Sequence, residues 1–504
     1  SPFFLFGIRY FSRLGIRNSR FLMSRPFYIT TTLPYVNAEP HIGFAFELVS
    51  ADIIARYKKL QGHEVFFNTG TDEHGVKVYR KAMEEGKEPQ PYVDEYAEKY
   101  RALITALGIS SDIHFIRTTD QVHKKAAQEL WRRCKASGDV YKKKYRIKYC
   151  VGCELEKTES ELQNSRCPVH PNLELEIRDE ENYFFRLSKY QERLLTLYGE
   201  QGDFVVPAFR LNEIRSLMKE KGLEDFSISR LKSKMPWGVP VPDDETQVMY
   251  VWFDALVSYI STLGWPADEA SFRKWWIDTG GIVQCAGKDQ IRQQAVMWQA
   301  MLMSAGLPPS KQIVIHGFIQ SGGEKMSKSL GNTIDPFALV KDYGTDAVRF
   351  YLARHIHPFE DSDFTLEKFK EAYNADLANG IGNLTSRIMK MSSEYIQTTD
   401  MQLEVNEYGY PRKYKGGLES CNVQDTATVI TETVSVIDRH IQETEPFKLV
   451  KKDKETGKAA ITLFVKDLKH LAHLLRPILP DTFEAILSAI RNNTMPAKPL
   501  FPRK

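Results

Sequence analysis

The stretch from Phe27 to Gly70 constrains the fold most. FYITTTL at 27–33 alternates apolar and polar and the chain breaks at Pro34 and Pro40. Ile42, Phe46, Val49, Ile53, Ile54, Tyr57 and Leu60 then recur at helical spacing before a second apolar run, EVFFNTG at 64–70. A strand–helix–strand unit of this kind implies a parallel sheet whose ligand crevice lies at the carboxyl ends of its strands. A long amphipathic helix follows over roughly 90–107, and polar, cysteine-bearing text then interrupts the pattern at 118–224. Strand-like text resumes with VMYVWFDALVSYI at 248–260, GIVQCAG at 281–287 and QIVIHGFI at 312–319, so the nucleotide-binding fold is split by an insertion. Past Phe364 helical spacing dominates, at 365–394, 424–443, 455–476 and 481–491, with a loop at 401–417 between the first two. The expected class is α/β: a split Rossmann-like parallel-sheet domain with an insertion, then an all-α C-terminal bundle.

The boundaries expected are 26–117 and 225–325 for the two catalytic halves, 118–224 for the insertion, 326–373 for a connecting region and 374–504 for the bundle. A chain of 504 residues, 42% hydrophobic, is long enough for several cores. Lys+Arg 68 against Asp+Glu 65 is nearly balanced, so a polyanionic partner would have to meet a local basic patch. No apolar run is long enough to cross a bilayer, and no membrane partner is expected. Residues 1–25 carry Arg9, Arg13, Arg17, Arg20 and Arg25 and no acid, which suits either a transit peptide, and so a mitochondrial matrix location, or a tag or upstream remnant ahead of Met23 in a cytoplasmic protein.

Six cysteines are too few for a disulfide scaffold. Cys150-Val-Gly-Cys153, thirteen residues and Cys167-Pro-Val-His170 give two ligand pairs that suit one tetrahedral Zn²⁺ with all four positions filled, hence a structural site. Cys134, Cys285 and Cys421 lack such partners and are read as core.

Two local sequences carry the chemistry. In Pro40-His41-Ile42-Gly43-Phe44, His41 and Gly43 stand at a helix N-terminus after a parallel strand, where unpaired N–H groups and the helix dipole attract phosphate and glycine permits close approach. SGGEKMSKSLGN at 321–332 is glycine- and serine-rich and can bring Lys325 and Lys328 onto a leaving pyrophosphate. Taken singly, a helix-start histidine is usually a cap, and lysines in such a turn are usually solvated.

Together with LPYVNAEP at 33–40, TGTDEHG at 69–75 and YVWFDAL at 250–256, these motifs resemble the methionyl-tRNA synthetases, class I enzymes, along most of the chain. The resemblance implies activation of methionine by attack of its carboxylate on the α-phosphorus of ATP, then transfer to the 3′ end of methionine tRNA, initiator and elongator alike, with Mg²⁺ accompanying ATP. It assigns catalysis to His41, Lys325 and Lys328, and ATP binding to these with Gly43, Gly287, Asp289 and Ser327. Asp72 would pair the substrate ammonium, although a turn aspartate capping the next helix remains open from the residues alone. Leu33, Tyr35, Trp252, Ala255 and Tyr259 would wall the methionine side chain, where an isolated aromatic run would otherwise read as core. Asn383 and Arg387, one turn apart on a helix, and Phe447 would read anticodon bases. The knuckle reading agrees with the family, and a monomer is expected.

Four residues depart from the family pattern: Phe44 for a second histidine, Phe226 and Phe447 for tryptophans, and Gln294 for a pocket histidine. A class I enzyme for leucine, isoleucine or valine would need a large editing domain, which an insertion occupied by a metal knuckle does not supply. A cysteine enzyme would place metal ligands at the substrate itself. A non-catalytic tRNA- or RNA-binding paralogue is the alternative of a different class, supported by Phe44 and Gln294 and opposed by His41, Asp72, Lys325 and Lys328.

Overall fold

The protein is described here by a computed structural model covering residues 25–153, 155–157, 162–326, 332–397 and 409–504. Apart from Arg25, the leader at 1–25 lies outside the described residues. Six parallel strands form the central sheet: β1 Pro26–Thr30, β2 Glu64–Thr71, β3 His114–Arg117, β4 Val205–Val206, β5 Val283–Gly287 and β6 Gln312–His316, in the order β3-β2-β1-β5-β6-β4. Strand β1 stands between β2 and β5, with Ile29 opposite Phe67 on one side and Val283 on the other. The two halves read on either side of the insertion are therefore one sheet.

Period-two alternation divides that sheet between two cores. Phe27, Ile29, Phe67, Val283, Cys285 and Val314 face a core shared with helix α1, Ile42–Leu60, and the C-terminal helices. Tyr28, Phe66, Ala286, Ile313 and Ile315 face a second core, shared with helices Gln121–Ala136, Gln191–Glu200 and Ala208–Lys221. The segment 118–224 thus supplies β4 and part of the second core besides its antiparallel ribbon, Val140–Cys150 against Glu176–Phe185.

Two readings are corrected. The run at 248–260 is strand only to its second residue: Asp244–Met249 pairs antiparallel with Ser229–Leu231, while Val251–Ala255 and Ser258–Ser261 are short helices. A run buried on every side has no periodicity that separates strand from helix. The loop at 401–417 contains the start of a helix, Arg412–Glu419, which Pro411 precedes; 401–408 lie outside the described residues. Its Gly416-Gly417 pair argues for a turn locally, yet buried Tyr414 and Leu418 pin the segment to the core.

The bundle comprises Leu366–Ala372, Tyr373–Gly382 with its wider π-type turns, Asn383–Tyr395, Arg412–Glu419, Val423–Thr444, Pro446–Lys452, Lys454–Leu475 and Pro480–Asn492. No described helix is long and apolar enough to cross a membrane. Tyr414 stacks on Tyr410 at 4.9 Å and donates its hydroxyl to Leu474 O at 2.7 Å. Tyr414→Phe leaves that carbonyl without its donor and is expected to destabilise the protein by about 1–2 kcal/mol; urea unfolding against wild type checks this, an unchanged midpoint contradicting it.

Candidate active site

Helix α1 begins at the carboxyl end of the sheet, and His41 is its N-cap. The His41 Nδ1 accepts from Gly43 N–H at 3.1 Å, which puts the ring proton on Nε2. A Cβ on Gly43 would lie 3.0 Å from the His41 ring, closer than ordinary contact, so a larger residue here requires that ring to give way. His41, Gly43, Phe44, Glu47, Gly287, Asp289 and His316 line a cavity of about 340 Å³. Met326 and Thr333, flanking the stretch 327–331, line it too, and Ile42 N–H donates to Ile334 O at 3.3 Å. Lys325 pairs through its backbone with Gln320; Ser327 and Lys328 lie outside the described residues.

A single carboxylate binds the rim of this cavity together. One oxygen of Glu47 accepts from the Thr32 N–H at 2.6 Å and the Thr32 hydroxyl at 2.7 Å, at the end of β1. The other oxygen lies 2.8 Å from His316 Nε2, at the end of β6, whose Nδ1 is 2.8 Å from Gly317 O. Burial alone would lower the His316 pKa, but the Glu47 carboxylate outweighs it and holds the imidazole above its ordinary value. Phe44, where the family pattern has histidine, packs edge-on against Tyr100 at 5.5 Å. The cavity therefore has an imidazole at His316 but none at position 44.

A second cavity, about 420 Å³, adjoins the first and shares Tyr35, Asp289 and Gln290 with it. Leu33, Tyr35, Asp72, Trp252, Ala255 and Tyr259 all line it. The Trp252 indole N–H donates to the Tyr35 hydroxyl at 2.8 Å, joining two aromatic walls. Gln294 donates to the Tyr259 hydroxyl and accepts from Gln284, both at 2.8 Å, so the residue in place of a histidine is fully engaged at the cavity floor. Asp72 is buried and does not cap the following helix, Val76–Glu84, whose N-cap is Gly75. Beneath this wall Asp254 lies 2.6 Å from His74 Nδ1 and 2.7 Å from His123 Nε2. Burial would raise the Asp254 pKa; the two imidazoles hold it at about 2.

Cys150, Cys153, Cys167 and His170 converge, their ligand atoms all within 4.8 Å of one another. Cys153 Sγ is 3.3 Å from Cys167 Sγ and 3.2 Å from His170 Nδ1; the latter is 3.8 Å from Cys150 Sγ and 3.9 Å from Cys167 Sγ. Tetrahedral zinc with ordinary bond lengths requires ligand separations of about 3.5–3.8 Å, so the set fits a metal ion of that kind. A Cβ on Gly152 would fall 2.5 Å from the His170 ring, which is why the turn between the first two cysteines needs glycine. Gly152, Cys153 and His170 also line the second cavity, so the knuckle closes its outer side. Cys134, Cys285 and Cys421 are buried in the two cores and form no disulfide.

The family model for tRNA synthetases class I (M) matches residues 27–169 and 152–389. The methionine-tRNA ligase of Thermosynechococcus vestitus is 42% identical over 92% of this chain and 90% of its own length, and that of Thermotoga maritima 41% over 94% and 76%. The chain belongs to the class I methionyl-tRNA synthetase family. A solved family member, Mycobacterium tuberculosis methionyl-tRNA synthetase in complex with methionyl-adenylate, superposes with a TM-score of 0.84 at 35% identity, covering 92% of this chain and 93% of that one.

The remaining family positions lie in the bundle, except Phe226, which stands on a short strand beside the ribbon. Asn383 is exposed at the start of helix Asn383–Tyr395, and Arg387, one turn on, is ion-paired with Asp438, which also accepts from Gln442 at 2.7 Å. Phe447 is exposed on Pro446–Lys452, with Lys448 Nζ 5.9 Å from its ring centre. Phe226 packs against Phe185 at 5.8 Å. Sequence reading passed over Glu47, His316, Gln290 and the His74–Asp254–His123 chain; an acid on the buried face of α1 was the one available signal.

Gly43→Ala sets a Cβ 3.0 Å from the His41 ring, which must give way within the first cavity; ATP-dependent pyrophosphate exchange is expected to fall by about tenfold or more, while an unaltered rate contradicts a role for this cap in binding ATP. Cys153→Ser removes one of four ligands, and elemental analysis of the purified protein is expected to drop from about one metal per chain to well below it; equal metal content in both proteins contradicts the site.

Proposed function

We propose that the protein activates methionine with ATP and transfers it to methionine tRNA. The observation that carries this reading is the junction of the two cavities: an aromatic-walled one with a buried carboxylate, Asp72, meets a nucleotide-sized one at a helix N-terminus, across the shared residues Tyr35, Asp289 and Gln290. A methionine carboxylate placed at that junction faces the α-phosphorus of ATP. Its oxygen forms the new P–O bond, the bond to the β-phosphate bridging oxygen breaks, and pyrophosphate leaves. A ribose hydroxyl of the tRNA 3′ end then attacks the acyl carbon of methionyl-adenylate and AMP departs. The adenylate bound by the solved relative is the intermediate of this sequence.

No enzyme nucleophile is required; positioning and charge are sufficient. Asp72 pairs the ammonium of methionine, and Leu33, Tyr35, Trp252, Ala255 and Tyr259 enclose its thioether chain. His41 donates from Nε2 to a phosphoryl oxygen, Gly43 and Gly287 let the nucleotide approach the backbone, and Asp289 binds at the ribose. Lys325, Ser327 and Lys328 come onto the β- and γ-phosphates, and ATP enters as its Mg²⁺ complex. The three thiolates and one imidazole of the knuckle suit Zn²⁺, which braces the fold of the outer cavity wall. Asn383, Arg387 and Phe447 present the hydrogen-bonding and stacking chemistry that single-stranded anticodon bases require. We assign a monomer.

Pyrophosphate exchange with purified zinc-replete protein is expected with methionine and not with leucine, isoleucine, valine or cysteine, and Lys328→Ala is expected to abolish it. No exchange with any amino acid in folded protein would replace this reading with a non-catalytic RNA-binding one. Asp72→Asn keeps the shape and removes the charge; the KM for methionine is expected to rise about 10- to 100-fold, as for loss of a charge-assisted hydrogen bond, with the KM for ATP within about threefold. Equal changes in both constants would mean that Asp72 does not meet the ammonium.

A further inference from the structure

Away from both cavities, a buried ion pair lies at the seam between α1 and the C-terminal helices. Arg349, on helix Thr345–His355, is completely buried. Its Nε donates to Ile478 O at 2.8 Å, Nη1 to Leu107 O at 3.1 Å and Nη2 to Pro477 O at 3.1 Å, and Nη2 lies 2.8 Å from Asp52 Oδ2. Asp52, equally buried on α1, accepts at Oδ1 from the Ser110 N–H at 2.9 Å and hydroxyl at 2.7 Å, and at Oδ2 from Arg56 Nε at 2.7 Å. One turn of Thr345–His355 earlier, Asp346 accepts from the Thr482 N–H at 2.6 Å and hydroxyl at 2.7 Å, in the first turn of Pro480–Asn492. Two side chains of a single helix thus grip the corner between the last two bundle helices, and one of them also grips α1.

Apolar side chains of equal volume would hold such a seam at least as firmly, because a buried ion pair returns little net stability after desolvation. What the pair adds is direction: a planar guanidinium with four fixed acceptors on three separate segments is satisfied at one relative placement only. The N-terminus of α1 carries His41 and Gly43, and the bundle carries Asn383, Arg387 and Phe447. Of the proposed substrates only tRNA is long enough to engage both.

We propose that Asp52 and Arg349 are a positioning pair that sets the angle between the nucleotide cavity and the anticodon-facing helices, and so serves the tRNA-dependent step rather than amino-acid activation. This rests on the proposed function.

Arg349→Met fills the volume and leaves Asp52 with Arg56 and Ser110, so no unpaired charge is created. In full-length protein, methionine-dependent pyrophosphate exchange is expected to stay within about twofold of wild type, while kcat/KM for tRNA aminoacylation falls about tenfold or more, mostly through the KM for tRNA. Arg349→Lys, keeping the charge, is expected to recover part of the loss. If Arg349→Met does not fold, Asp52→Asn carries the same comparison. Loss of exchange and aminoacylation in equal proportion would make the pair merely structural, and unchanged aminoacylation in a folded variant would overturn the proposal too. Absence of exchange in wild-type protein would instead overturn the proposed function.

Discussion

Strand β1 is hydrogen-bonded to β2 on one edge and, on the other, to β5 from the far side of the insertion. Parallel pairing points the carboxyl ends of β1, β5 and β6 the same way, and the chain leaves β1 toward one side of the sheet while β5 and β6 extend the other. The crevice at that switch point receives the Thr32–Tyr35 loop, the N-terminus of α1, the Gly287–Gln290 turn and His316. Every residue assigned to ATP among the described residues stands on one of these segments or in the small hairpin after β6, where Ile319–Ser321 pairs with Glu324–Lys325. Without the β1–β5 pairing the segments before the insertion would not meet those after it.

Buried carboxylates then hold the segments to that arrangement. Glu47 binds Thr32 to His316; Asp254 binds His74 to His123; Asp52 binds Ser110 and Arg56 to Arg349; and Glu73 accepts from Arg117 Nε at 2.6 Å and Nη2 at 3.0 Å. An isolated charge in these places would be prohibitive, so each is satisfied by two or more donors drawn from distant parts of the chain. Apolar contacts give the sheet its two cores, and these directional contacts give the crevice its shape.

This division of labour explains what could be read in advance. The β1–α1–β2 unit is legible because alternation and helical spacing are long and clean there, and the knuckle is legible because its four ligands sit in two short runs. The His41–Gly43 junction and the 325–329 motif are local too. Trp252, Ala255 and Tyr259 were placed on a strand because their apolar surroundings hide the helical period, although they do line the second cavity. Helix Arg412–Glu419 was hidden by paired glycines whose local preference is overruled by the burial of Tyr414. Strand β4 has two residues and exists only because β6 offers an edge. Glu47–His316 and Asp52–Arg349 join residues remote in the chain, and no local pattern in a single sequence announces such a partnership.

The alternation of β1 and β2 between two cores bears on how this molecule could be taken apart. One face of the sheet is covered by helices from the insertion and from the half that follows it, Arg273–Ile277 and Trp298–Ser304 among them, the other by α1 together with the C-terminal helices in one continuous core. The C-terminal helices are therefore not a cassette: cut away, they would take Tyr410 from its contact with Tyr57 and leave Arg349 without its Pro477 and Ile478 acceptors. Exchange of the bundle would require the buried face of α1 to be rewritten at the same time.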